Sequence, residues 1–145
     1  MQYESSVEVD SQKLPGVRFT VERMSFGRRL ELIRQLKQLL GRLDFVLAAS
    51  AEGPEKQAEA ALLAGEIDRI YVRWGLRKVD GLVMDGEEVT AESVIERAPE
   101  ALVEEILQAI RREAGISQAE AKNSKSPFIS SEPNRPDGSA TPAAV

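Results

Sequence analysis

Tyr71-Val72-Arg73-Trp74-Gly75-Leu76-Arg77-Lys78-Val79-Asp80-Gly81-Leu82-Val83-Met84-Asp85-Gly86 is the joint of this chain, holding its only tryptophan and three of its ten glycines. Helical patterning stops at Trp74-Gly75, where a glycine predicts a left-handed helix end. The chain then extends. Asp85-Gly86, between Leu82-Val83-Met84 and Glu87-Glu88-Val89, predicts a tight turn and a miniature hairpin. The acidic group Asp80, Asp85, Glu87 and Glu88 lacks the alternating oxygen ligands and closing glutamate of a calcium loop, so turn chemistry explains it and no metal site is expected.

Upstream of the joint lie two long amphipathic patterns. Between Phe26 and Ala49, Leu32, Leu36, Leu39, Leu43 and Val46 step by four and three, and Ile33, Leu40 and Leu47 widen the stripe. Ser25 is placed to cap this helix. Its other face carries Arg28, Arg29, Arg34, Lys37 and Arg42. Arg28 and Arg29 fall in the first turn, where positive charge opposes the macrodipole. A solvated face balanced by the chain's own glutamates is the simpler reading, and a patch for an acidic partner is the functional one. Gly41 costs the helix about 1 kcal/mol relative to alanine and marks a kink or a close helix contact. Glu52-Gly53-Pro54 breaks the pattern, with Pro54 suited to the first position of the next helix. That helix runs to about Trp74 with Ala60, Leu63, Ile67, Ile70 and Trp74 as its stripe, beside the small surfaces of Ala58, Ala61, Leu62 and Gly65. A short link between two such helices predicts an antiparallel hairpin. The heptad-like steps also suit self-association or packing with another chain's helices.

Residues 1–16 are polar and uneven, end in the turn signal Leu14-Pro15-Gly16, and read as a flexible lead-in. Val17-Arg18-Phe19-Thr20-Val21-Glu22 then alternates as a short strand with Val17, Phe19 and Val21 on one face. Beyond the joint, Thr90 caps a short helix over Ala91 to Arg97, and Pro99 starts another that buries Leu102, Val103, Ile106, Leu107 and Ile110 and stops at Gly115. Ser117-Gln118-Ala119-Glu120 is a capping-box pattern. Residues 123–145 hold four of the seven prolines, and their Ser/Pro-rich composition predicts disorder. The expected architecture is mainly α: a helical hairpin plus C-terminal helices with a small β element, a domain over 17–122, and a disordered tail over 123–145.

Composition narrows the chemistry. The 145 residues include no cysteine and no histidine, which removes disulfides, thiolate and imidazole metal sites, Cys or His nucleophiles and Ser-His triads. Glu104 and Glu105 are adjacent and diverge, while Glu100 and Glu104 share an exposed helix face. Nothing assembles a nucleophile, base and oxyanion donor, and no P-loop or dinucleotide fingerprint occurs, so no enzyme and no cofactor are expected. Net charge is −5, from 19 Lys plus Arg against 24 Asp plus Glu, which gives no general pull towards nucleic acid or anionic membrane. No apolar run reaches the length of a membrane span and the N-terminus lacks a signal-peptide pattern, so a cytoplasmic protein is expected.

One resemblance adds to this reading. Val17-Arg18-Phe19, Arg23-Met24-Ser25, Arg28-Arg29, Glu31-Leu32, Tyr71, Trp74-Gly75-Leu76, Gly81-Leu82, Asp85-Gly86, Pro99-Glu100, Leu102, Glu105-Ile106, Ser117, Glu120 and Lys122-Asn123-Ser124 occur in an order that resembles the tail assembly chaperones of tailed bacteriophages, over roughly residues 17 to 126. The resemblance implies a non-enzymatic protein of the host bacterial cytoplasm. Such a protein binds the tape measure protein, helps tail-tube protein subunits polymerise around it, and is absent from the mature virion. It also implies a longer product made by ribosomal frameshifting in many relatives.

Amphipathic helices suit that role, because a long helical rod exposes apolar seams before assembly and groove packing covers them. The expected contacts are Arg28, Arg29, Leu32, Arg34, Leu36, Leu39, Leu43, Leu63, Ile67, Ile70 and Trp74. Two other readings compete. A structural or connector component of the phage tail would be retained in purified particles. A small nucleic-acid-binding regulator using the basic helix face would bind with a steep salt dependence.

Overall fold

The computed structural model describes residues 1–49 and 53–115. Strands β1 (Ser6–Asp10) and β2 (Arg18–Glu22) lead into helices α1 (Phe26–Ala48) and α2 (Pro54–Gly75). Strand β3 (Leu76–Asp80), the two-residue strands β4 (Val83–Met84) and β5 (Glu87–Glu88), and helices α3 (Ala91–Arg97) and α4 (Glu100–Ala114) follow. The capping-box pattern at Ser117 and the tail over 123–145 lie outside the described residues.

The expectation of a mainly α fold with one small β element is corrected by two sheets, which make the described chain an α+β fold. One is a three-stranded antiparallel sheet in the order β1-β2-β3, the other the β4-β5 hairpin. The lead-in read as flexible supplies β1. Val7 and Val9 there lie opposite Val21 and Phe19 and are partly buried against the core. Glu8 and Asp10 on the other face are held by Arg18, at 3.4 and 2.8 Å. The extended segment after Gly75 supplies β3, and the β2-β3 register shifts between Thr20 and Val21, a bulge of the kind that sharpens sheet twist.

Gly75 also departs from expectation. It belongs to α2 and is not among the left-handed glycines. Its missing side chain makes room for α4, since a Cβ there would fall 2.6 Å from Ile110 Cγ2.

Local chemistry explains the helix ends. The Ser25 hydroxyl accepts from the Arg28 N–H at the start of α1. Thr90 and Ser93 form a reciprocal capping box on α3, and Gly115, left-handed at φ 59°, closes α4. The helices α1 and α2 run antiparallel. Arg42 meets Glu59 at 3.3 Å near one end and Arg28 meets Trp74 at the other. Helix α4 packs against both α2 and β2. Phe19, Val21, Leu32, Leu36, Leu102, Ile106 and Ile110 are fully buried in the resulting core.

The β1-β2 turn is tied to α4 through one carboxylate. The Ser11 hydroxyl donates to Glu105 Oε1 at 2.6 Å and the Gln12 N–H to Glu105 Oε2 at 2.5 Å, while Ser11 Oγ accepts from the Lys13 and Leu14 N–H groups. Partial burial pushes the Glu105 carboxyl up, but the Ser11 hydroxyl and the N–H groups of Gln12 and Lys13 outweigh it and hold the group below its ordinary value. A depressed folded-state value means that the ionised form stabilises the fold at neutral pH, and that this stability is lost as pH falls from about 4.3 through the folded value. Glu105→Gln is therefore expected to cost about 1–2 kcal/mol at pH 7, the scale of hydrogen bonds to a partly exposed carboxylate. Urea titrations at a series of pH values should show the gap between variant and unmodified chain closing below about pH 4.

Gly41 lies on the exposed side of α1, and a Cβ there would have nothing within 4 Å. The close helix contact expected from sequence is thus not made within this chain's described residues. Gly41→Ala should raise stability by about 0.5–1 kcal/mol in chemical denaturation.

Candidate interaction surface

The residues singled out in the sequence divide sharply in the folded chain. Leu32, Leu36, Leu43, Leu63, Ile67 and Trp74 are buried, and Leu39 and Ile70 are half-buried against the same core. Arg28 and Arg29 are half-buried, and Arg34 alone of the eleven is exposed. The two apolar stripes therefore cover each other and the remainder of the core. Leu47, which periodicity added to the α1 stripe, is exposed; the other stripe residues are buried or half-buried.

Arg28 and Trp74 form a clamp between the start of α1 and the end of α2. The guanidinium lies over the indole at 4.5 Å from the ring centroid and donates to the Trp74 carbonyl. The indole N–H donates back to the Arg28 carbonyl at 3.2 Å. A charge that opposes the dipole of its own helix thereby sits at the negative end of its neighbour. A similar device joins α4 to α2, where Arg111 pairs with Asp68 and lies 5.0 Å from the Tyr71 ring centroid. Burial pushes the Tyr71 hydroxyl above its ordinary value, against the opposing effect of Arg111.

Three of the four carboxylates singled out at the joint, Asp80, Asp85 and Glu87, form surface ion pairs. Arg97 holds Asp85 at 2.8 Å and Glu87 at 3.7 Å, bracing the β4-β5 turn against α3. Asp80 meets Lys78 at 3.6 Å. Among the described residues, no group of three or more Asp and Glu is arranged to hold a metal ion, and no helix is long and apolar enough to cross a membrane. A concavity of about 640 Å³ on the open face of the three-stranded sheet is lined by Glu8, Thr20, Arg23, Arg77 and Lys78. Four of its charged groups are engaged with neighbours: Glu8 with Arg18, Arg23 with Glu113, Arg77 with Glu22 and Lys78 with Asp80.

What the hairpin does present outward differs from what periodicity singled out. Phe45 on α1 is 74% exposed and Leu62 on α2 is 72% exposed. Both lie off the apolar stripes, and that displacement is the signal that could have found them. Helix α1 carries five basic residues against two acidic ones, Glu31 and Asp44, in a chain whose net charge is −5. No protein-family model matches this chain, and no curated protein and no solved structure is significantly similar to it.

Proposed function

We propose that the chain is a non-enzymatic assembly chaperone of a tailed phage or prophage, which binds the tape measure protein in the host cytoplasm, assists tail-tube assembly and leaves before the virion matures. The observation that carries the reading is the α1-α2 hairpin. Its inward stripes are consumed by the fold, while its outward sides offer large apolar side chains beside a basic helix. That combination suits capture of another helix rather than catalysis. The ordered run of residues that resembles tail assembly chaperones supports the tape measure protein as the partner. Weak contacts repeated along a long rod would add avidity, so one shallow surface suffices.

The test is co-expression with the tape measure protein encoded in the same gene cluster. The partner is expected to become soluble and to co-purify with this chain. An insoluble partner with no complex would sink the reading, and recovery of this chain from purified particles would favour a structural or connector component instead.

A further inference from the structure

The outer side of α1 carries features that the fold does not explain. Gln38, Gly41 and Phe45 follow Arg34 at steps of four, three and four, so these four residues share one side of the helix. It lies opposite Leu36, Leu40 and Leu43, which are buried in the core. All four are exposed. Among the described residues neither Arg34 nor adjacent Lys37 has an ion-pair or hydrogen-bond partner. Gly41 fills no tight contact and adopts no left-handed conformation, yet weakens the helix relative to alanine. Phe45 stands in solvent beside the dent that Gly41 leaves.

We propose that this side of α1 is the docking face for an amphipathic helix with aspartates or glutamates along one flank. The partner helix lies along α1 with an apolar side chain over Gly41 beside Phe45, and its carboxylates meet Arg34 and Lys37. A glycine at the crossing lets two helix axes approach closely, the aromatic ring supplies the apolar anchor, and the unpaired cations select an acidic flank and set the register. The proposal rests on the chaperone reading and says which surface and which chemistry perform it.

The test measures capture of the co-expressed tape measure protein by the unmodified chain and by Arg34→Glu, Phe45→Ala, Gly41→Ala and a control on the open sheet face, Lys78→Ala. Capture is expected to fall about tenfold for Arg34→Glu and Phe45→Ala and to be unchanged for Lys78→Ala. It should fall severalfold for Gly41→Ala even though that variant melts at a higher temperature. Opposite movements of stability and capture at one position are not produced by a merely structural glycine. If the unmodified chain captures its partner and Arg34→Glu and Phe45→Ala do so equally well, the docking face is overturned while the chaperone reading stands. If the unmodified chain captures nothing, both fall. Self-association of the purified chain that Phe45→Ala abolishes would assign the face to a second copy and overturn the proposal.

Discussion

Trp74→Ala is expected to lower stability by about 3–5 kcal/mol, the range for removing a buried aromatic side chain. Against a total of about 5–15 kcal/mol for a domain of ordinary stability, that leaves the fold marginal, with a melting temperature reduced on the order of 10–20 °C. The loss has two parts. Trp74 is 6% exposed and belongs to the core cluster, so truncation opens a cavity. It also removes the platform for Arg28, whose Nε is buried with no hydrogen-bond partner among the described residues. Without the indole, a half-buried guanidinium keeps its carbonyl contact and loses the ring that offsets its desolvation. Trp74→Phe separates the parts: it fills most of the volume, loses the N–H bond to the Arg28 carbonyl, and should cost about 1–2 kcal/mol. A double-mutant cycle with Arg28→Ala should give a coupling energy of about 1–2 kcal/mol between the two residues. Coupling near zero would show that the clamp adds nothing beyond burial.

The same pair shows where sequence reasoning ran out. Helix ends follow from groups within a few residues of one another, and the caps at Ser25, Thr90 and Gly115 were legible for that reason. The place of Arg28 depends on a helix end 46 residues away, so its charge read as opposing the α1 dipole or as serving an acidic partner, and not as half of a clamp on Trp74. Strand β1 failed for a related cause. Ser6-Val7-Glu8-Val9-Asp10 alternates for only five residues, and what fixes it is the ladder to β2, the packing of Val7 and Val9 on the core and the Ser11-Glu105 bond between residues 94 apart. Periodicity found most of the buried sides of α1 and α2 as apolar stripes, missing at Leu47, which is exposed, but a stripe does not say whether its cover comes from the same chain. Here α1, α2 and the remainder of the core supply it, which moves attention to side chains such as Phe45 that break the period.

Gly81→Ala is expected to be comparably damaging, for reasons of backbone alone. Gly81 follows β3 at φ +82°, and a Cβ there would fall 2.2 Å from the Gly16 carbonyl oxygen and 3.4 Å from Val17 Cα. The obstacle is main chain at the entry to β2, so no rotamer change relieves it. Either the β2-β3 pairing opens at the Arg18-Asp80 end or the left-handed turn is abandoned. Strain at a positive φ contributes about 1–3 kcal/mol and overpacking another 1–3 kcal/mol, for a total of about 2–6 kcal/mol. Gly86 provides the comparison, because its φ is +79° but a Cβ there meets nothing within 4 Å. Gly86→Ala should therefore cost only the conformational part, about 1–3 kcal/mol. Equal losses in urea denaturation would show that the close approach of residues 16 and 81 contributes nothing. A larger loss at Gly81, accompanied by faster amide exchange in β2 and β3, would place the added cost at the sheet end where the two turns meet.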